Sequence, residues 1–377
     1  MLLILEVILV FIWRKFLDFT LDESLKRIYD KVHDRERLDE DDGAYILESN
    51  NILELGHLAD MARKSRVGEF VTFVNNYHIC FSNICKNRCF HCKFRQDQGS
   101  SDAFLLTLGE IKEKAHEAKN LKVPEVLLMG GVHPTLEFDY YTNALRSIKE
   151  IIPDVMILAF SAVEIQNFAL MENKSVYDIL TILKDLGLTA FTGGGVDILD
   201  DSYIRKLQCD ESRLNSAQWM EIHKTAHKLD IATNACMIYG AGESYREIVW
   251  NLAKLRDIQD ETGGFTHFFP YGFGDNGVKQ TDGLYDLKML ILARLYLDNF
   301  DHIRAYWGYI GKRLAQVSLS FGVDDLNGVR QKGRIIHTTG NIKPAFSSEE
   351  EMVSIISSAG RVPAERDILF NRVRVFD

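Results

Sequence analysis

From residue 71 onward, short apolar runs alternate with longer amphipathic stretches seven or eight times. That alternation predicts an α/β fold of parallel βαβ units closing into a (β/α)8 barrel of the TIM type, with a helical lead-in before it. Glycine-rich segments recur just after the strand-like runs, where barrel enzymes keep their chemistry. With only 6 Pro in 377 residues, no Pro-rich linker, low-complexity tract or repeat divides the chain. The expected division is 1–70, an N-terminal helical extension and cap, and 71–377, the barrel with a C-terminal helical segment.

Met1–Trp13 reads MLLILEVILVFIW, apolar except for Glu6. It is short for a bilayer span and lacks the basic start and small-residue cleavage site of a signal peptide. It reads as a helix packing on the body or as an extension from an upstream start codon; a membrane-surface anchor is the less favoured alternative. Residues 20–70 look helical, with LESNNILELGHLADMARKSR ending in basic residues as a helix C-terminus prefers.

The strand candidates are Tyr77–Ser82, Glu125–Met129, Met156–Phe160, Thr189–Thr192, Ala232–Ile238, Thr266–Pro270 and Ile303–Trp307, with a short eighth near Val323–Leu326. Helices are expected at Asp139–Glu150, Val176–Leu186, Ala217–Leu229, Glu243–Glu261 and Asp286–Phe300, and Thr107-Leu-Gly-Glu110 reads as a capping box opening the first of the series. After the strands come Gly130-Gly131-Val132-His133, Ser161–Glu164, Gly193-Gly194-Gly195 with Asp197, Tyr239-Gly240 with Glu243, and Tyr271–Asn276. Glycine lets backbone approach a ligand closely, so these segments read as one ligand-lined mouth.

Hydrophobic content of 46% is ample for a core, and a net charge of −10 argues against nucleic acid as a partner. Six cysteines, three of them clustered, point to a reducing, cytoplasmic setting and metal use. Cys80, Cys209 and Cys236 stand alone and read as small buried hydrophobes. His223 and His227, four apart on one helix, read as packing or surface. Trp219 and Trp250 read as core.

The chemistry centres on Cys85, Cys89 and Cys92, spaced C-x3-C-x2-C after the first strand-like run. Zinc would want a fourth protein ligand, usually from a second C-x-x-C or a His pair, and none follows at such spacing. Three thiolates can instead hold a [4Fe–4S] cluster and leave one iron open for a small molecule.

This motif resembles the signature of radical S-adenosylmethionine (SAM) enzymes. The likeness extends over roughly residues 25–370: NNYHI, MGGVHPTLEFDYYTNALRSIKE, CDESRLNSAQWMEIHKTAHKLDI, LRDIQDETGGF and AGRVPAERD are similar to the aminofutalosine synthase and FO synthase group. AFSAVEIQNFA, TNACMIYG and LDNFDHIRAYWGYIGKRLAQ lean toward aminofutalosine synthases of menaquinone biosynthesis. The resemblance implies a [4Fe–4S] cluster on the three cysteines, SAM as co-substrate, and a flavodoxin, ferredoxin or other reductase as electron donor. It implies Gly130 and Gly131 at the SAM amino group, Gly194 and Tyr239 in the cofactor mouth, Asp197 at the ribose and Arg205 at the SAM carboxylate. Glu164 is a candidate catalytic residue as a carboxylate ending a strand in apolar surroundings.

The implied reaction adds the adenosyl radical to the enol ether of 3-[(1-carboxyvinyl)oxy]benzoate, with rearrangement and loss of carbon dioxide, giving 6-amino-6-deoxyfutalosine. Such an aromatic dicarboxylate needs cations, and Arg304, His133 and Arg294 are the candidates. The alternative is a tyrosine-using enzyme of the FO synthase type in deazaflavin biosynthesis. Two departures lie where substrate is expected and bear on that choice, Ala241-Gly242 where relatives carry His and Tyr271-Gly272-Phe273-Gly274 after the sixth strand; a third, Phe90-His91-Cys92-Lys93, replaces the small residue relatives often carry after the third cysteine.

Overall fold

The computed structural model describes residues 22–89, 92, 94–207, 214–273, 281–330 and 347–376. Met1–Trp13, Cys209, Phe90, His91, Lys93 and the loop 274–276 lie outside the described residues. Three helices open the described chain: α1 (Glu23–Asp34), α2 (Glu40–Glu48) and α3 (Ile52–Val67). Asp22 caps α1 by accepting from the Leu25 N–H, and Asp39 with Asp42 forms a capping box on α2. Asp42 is fully buried, which its pairing with Arg27 at 2.8 Å and Lys31 at 2.5 Å makes tolerable.

Six parallel strands follow in chain order around the sheet: β1 (Phe70–Ser82), β2 (Glu125–Gly130), β3 (Met156–Ser161), β4 (Leu188–Thr192), β5 (Ala232–Tyr239) and β6 (Phe265–Gly272). The crossovers carry α4 (Leu108–Asn120), α5 (Phe138–Ile151), α6 (Ala162–Glu172), α7 (Val176–Asp185), α8 (Asp201–Leu207), α9 (Ser216–Lys228) and α10 (Tyr245–Thr262), and α11 (Gly283–Tyr296) follows β6. Helices α4, α7, α9 and α10 each open on a capping box, from Thr107, Ser175, Asn215 and Ser244, each worth about 1 kcal/mol. The lead-in helices α2 and α3 pack on α10 and α11, so they sheathe one side of the barrel.

The ring closes through a minimal seventh strand. Phe268 bridges Ile303 and Arg304 bridges Asp325, the first residue of β7 (Asp325–Arg330), which runs beside β1. The expected strand Ile303–Trp307 is therefore too long. Trp307 is buried and its indole N–H donates to the Gly328 carbonyl at 3.1 Å. That anchor accompanies the departure from the sheet, and α12 (Trp307–Ile310) and α13 (Lys312–Ser318) follow. The eighth strand falls two residues later than expected.

The C-terminal segment is not only helical. After α14 (Glu349–Ser358), β8 (Val362–Arg366) pairs with β1 along Phe70–Phe73, and β9 (Arg372–Val375) turns back antiparallel to β8. Among the described residues no helix is long and apolar enough to cross a membrane.

The core between β1, β3, α5 and α6 is aromatic. Tyr141 lies 4.6 Å from Phe168, and Phe160 packs edge-on against Phe168 at 5.1 Å. Burying each such ring contributes roughly 1.5–3 kcal/mol. Phe160 has φ +70°, unusual for a bulky residue, and these ring contacts hold it where β3 turns into α6. Trp219 is fully buried as expected, whereas Trp250 is exposed, with Lys254 Nζ 3.3 Å from its ring centroid.

Candidate active site

A cavity of about 290 Å³ runs down the barrel axis. At its mouth stand Cys85, Cys89 and Cys92, on the loop that leaves β1, with Gly130 and Gly131 at the end of β2. Backbone bonds tie the cysteine loop to that second strand end. Gly131 N donates to the Ser82 carbonyl at 2.9 Å, Lys86 N to the Val132 carbonyl at 2.8 Å, and Val132 N to Cys85 Sγ at 3.3 Å. A Cβ on Gly131 would stand 2.4 Å from the Ile84 carbonyl oxygen and 2.6 Å from Cys85 Cβ. Only glycine lets the two loops touch there. Burial pushes the Cys85 thiol up, and the backbone N–H groups of Asn87 and Val132 pull it back down.

Among the described residues, no three His, Cys, Asp or Glu side chains already converge at ligating distance. The donor set nevertheless suits an iron–sulfur cluster: three thiols on one cavity wall, one already accepting a backbone N–H as cluster-ligating sulfurs do.

Glu164, in the first turn of α6, lines the cavity and is buried. Its Oε2 accepts from the Ser161 hydroxyl at 3.0 Å, and among the described residues its Oε1 has no hydrogen-bond partner. Burial pushes its acid up to about 8, against the opposing pull of Ser161, so at neutral pH the site holds a carboxylic acid with a proton to donate. Gly194 and Asp197 also line the cavity, and the Cys236 thiol points to Asp197 Oδ1 at 3.9 Å. Gly195, at φ +110°, lies close against Val163 and turns this loop inward.

Four expected residues stand elsewhere. Tyr239 is fully buried outside the cavity, its hydroxyl donating to Asp286 Oδ1 at 2.6 Å. With side chains alternating along a strand, Ile238 and Tyr239 cannot share a face, and Tyr239 takes the helix side. Arg205 is exposed on α8. His133 is buried just beyond the mouth, where Nδ1 accepts from Thr135 N at 3.2 Å and burial lowers its pKa. Arg294 is engaged on α11, donating to the carbonyls of Gly322 at 2.7 Å and Asp301 at 3.0 Å and pairing with Asp324. His78, by contrast, lines the cavity.

Arg304 lies deep in the barrel, not at the mouth. Its N–H donates to the Phe268 carbonyl at 2.9 Å, well short of the end of β6, because the seventh strand is only a bridge. Its Nε donates to Asp325, which also accepts from Arg366 Nε at 2.6 Å. Beside them Asn76 Nδ2 donates to Glu125 Oε1 at 2.9 Å. The sequence reading missed Asp325, Arg366, Asn76 and Glu125. Above Arg304 the wall is aromatic: Phe269 lies 6.0 Å from Tyr271, which stacks on Tyr309 at 5.4 Å.

The pattern described as the radical SAM superfamily matches residues 79–255, and that described as the CofH/MqnC C-terminal region matches residues 262–375. The chain is 37% identical to the aminodeoxyfutalosine synthase of Thermus thermophilus over 94% of its own length and 98% of that protein's. The chain belongs to the radical SAM superfamily. Its cofactors are therefore a [4Fe–4S] cluster and SAM, and its substrate is a small molecule. The aminodeoxyfutalosine synthase of Streptomyces coelicolor is 32% identical, over 95% of this chain and 96% of that one. The 5-amino-6-(D-ribitylamino)uracil–L-tyrosine 4-hydroxyphenyl transferase of Methanopyrus kandleri is 35% identical over 84% and 88%. In fold, this radical SAM chain is similar to methylornithine synthase (TM-score 0.71, 17% identity, 89% of this chain and 97% of that one). It is equally similar to the hydrogenase maturase HydG of Carboxydothermus hydrogenoformans (TM-score 0.72, 16% identity, 92% and 81%).

Proposed function

We propose that this chain adds the 5′-deoxyadenosyl group of SAM to the enol ether of 3-[(1-carboxyvinyl)oxy]benzoate, with rearrangement and decarboxylation to 6-amino-6-deoxyfutalosine, in menaquinone biosynthesis. The near end-to-end likeness to two aminodeoxyfutalosine synthases supports the reaction class. One geometric observation carries the choice of an anionic aromatic substrate: below the cysteine loop, Arg304 lines a cavity walled by Phe269, Tyr271 and Tyr309.

The cluster, when bound, supplies the electron that cleaves SAM. In this reading Cys85, Cys89 and Cys92 hold it. Gly130, Gly131, Gly194 and Asp197 cradle SAM, Glu164 holds a proton beside it, and Arg304 takes a substrate carboxylate. The aromatic wall keeps water from the radical. A flavodoxin, ferredoxin or other reductase in the cytoplasm supplies electrons, and nucleic acid has no part, the charge of −10 being unsuited to a polyanion. The transferase relatives keep a second reading in view, radical attack on tyrosine. Product analysis decides. Anaerobic incubation of the reconstituted enzyme with SAM and the enol ether should give a carbon–carbon bonded adenosyl adduct; adduct formation only from tyrosine and the ribityl-uracil would select the second reading.

A further inference from the structure

We propose that Arg366 and Asp325 are positioning residues that present the outer edge of Arg304 to a carboxylate on the far end of an aromatic substrate, at the bottom of the cavity. The inference rests on the reaction proposed above and names which end of the substrate goes down.

A guanidinium offers two bidentate edges, one with Nε and one formed by its two Nη atoms. Arg304 commits the Nε edge to Asp325 Oδ1. Among the described residues its Nη atoms have no hydrogen-bonding partner, and Arg304 lines the cavity. Arg366 also lines the cavity, but all three nitrogens of its guanidinium are engaged. Its Nε and Nη2 reach the two oxygens of Asp325 at 2.6 and 3.5 Å, its Nη1 donates to the Asp367 carbonyl at 2.9 Å, and Glu125 Oε2 lies 4.0 Å away. Arg366 thus has two carboxylates at hand, while Arg304 shares one.

Asp325 is saturated from all sides. Besides both arginines it accepts from Thr72 Oγ1 at 2.8 Å and Asn327 N at 3.0 Å. Burial would raise its pKa, but Arg304 and Arg366 hold it far below the usual carboxylate range. Asp325 is therefore a fixed anion, and Arg366 a fixed cation that shares its charge. Together they orient Arg304 without consuming the edge that faces the cavity.

The surroundings fit one ligand geometry. Arg304 stands 6.0 Å from the rings of Phe269 and Phe370, and the rings of Phe269, Tyr271 and Tyr309 succeed one another along the same wall. A flat ring laid on that wall puts a ring carboxylate on the outer edge of Arg304 and its other substituent toward the cysteine loop. A buried polar edge left unpaired is what rejects an analogue lacking the matching group.

The test compares two substrates on the reconstituted holoenzyme: the enol-ether benzoate and its phenyl counterpart without the ring carboxylate. Wild type should prefer the benzoate by about a hundredfold or more in kcat/KM. Arg366→Gln should raise KM for the benzoate by about tenfold or more, with kcat and the phenyl substrate little changed, and Arg366→Lys should recover part of the loss. Equal losses on both substrates, or no loss, would overturn the proposal. If Arg366→Gln does not load its cluster, the wild-type preference decides: equal use of both substrates overturns it. A wild-type enzyme forming no adenosyl adduct from the benzoate instead overturns the reaction itself, before any variant is compared.

Discussion

The hydroxyl of Tyr239 donates to Asp286 at 2.6 Å, which turns this ring away from the cavity and fastens β5 to α11. Tyr239→Phe should therefore leave SAM affinity unchanged and lower stability by about 1–2 kcal/mol, since among the described residues Asp286 then keeps only Thr281 on that oxygen. Anaerobic SAM titration and denaturant unfolding measure the two effects separately. A large loss of SAM affinity with unchanged stability would contradict this placement.

The three mouth cysteines should behave unlike the other thiols. Cys85→Ala, Cys89→Ala or Cys92→Ala should abolish cluster loading, from about four iron per chain, and with it SAM cleavage. Cys80→Ala and Cys236→Ala should retain both, although Cys236 also lines the cavity. Iron analysis together with 5′-deoxyadenosine release gives the answer; full loading in Cys89→Ala would count against the assignment.

Two glycines of the mouth offer a sharper contrast. Gly131→Ala would drive its methyl into the Ile84 carbonyl and Cys85, whereas among the described residues Gly194→Ala meets only Thr192 Oγ1 at 3.9 Å. The first variant should lose iron, and the second should load normally. Ultraviolet–visible spectra after anaerobic reconstitution distinguish them.

Arg304→Ala should raise KM for the enol ether more than a hundredfold, in line with the roughly 3–5 kcal/mol lost when a buried ion pair loses one partner. Slow uncoupled conversion of SAM to 5′-deoxyadenosine should survive. Loss of that background rate as well would place Arg304 in cluster or SAM binding.

A pH dependence should come from the far side of the barrel. His227 is hydrogen-bonded to Thr262 at 2.7 Å and Thr233 at 2.8 Å, and burial lowers its pKa to about 4. The neutral ring is the folded form. Its contribution is present above the ordinary value near 6.5 and fades as pH falls toward 4, amounting to roughly 3 kcal/mol over the whole window. Unfolding free energies between pH 7 and 5 should fall less steeply in His227→Gln than in wild type. Parallel slopes would exclude this source.

The alternation of strands and helices was legible because β2 to β6 are short, largely apolar runs and most crossover helices carry their own caps, as at Thr107. The seventh strand was not, since Ile303 and Arg304 form only single bridges while Trp307 follows its indole into the core. Nor could β8 be seen: VPAER has polar residues that suit a strand only beside β1. In the site, the cysteine spacing pointed to one loop, and the glycines to its neighbour. Tyr239 and Arg205 show the limit, because proximity in sequence to a strand end does not say which way a side chain turns. The layer around Asp325 was hidden for another reason. Its members are 21 and 41 residues from Asp325 in the cases of Arg304 and Arg366, and 49 residues separate Asn76 from Glu125. Buried charges like these look like surface charges until the fold brings them together.

Closure of the ring carries a consequence for how the molecule is made. Strand β1 finds its neighbours β7 and β8 about 250 and 290 positions later, as in the pairings of Thr72 with Asp325 and of Phe70 with Val362. A nascent chain still on the ribosome exposes one edge of β1 until nearly everything has been synthesised. Such high contact order slows folding, and the open edge is an invitation to aggregation.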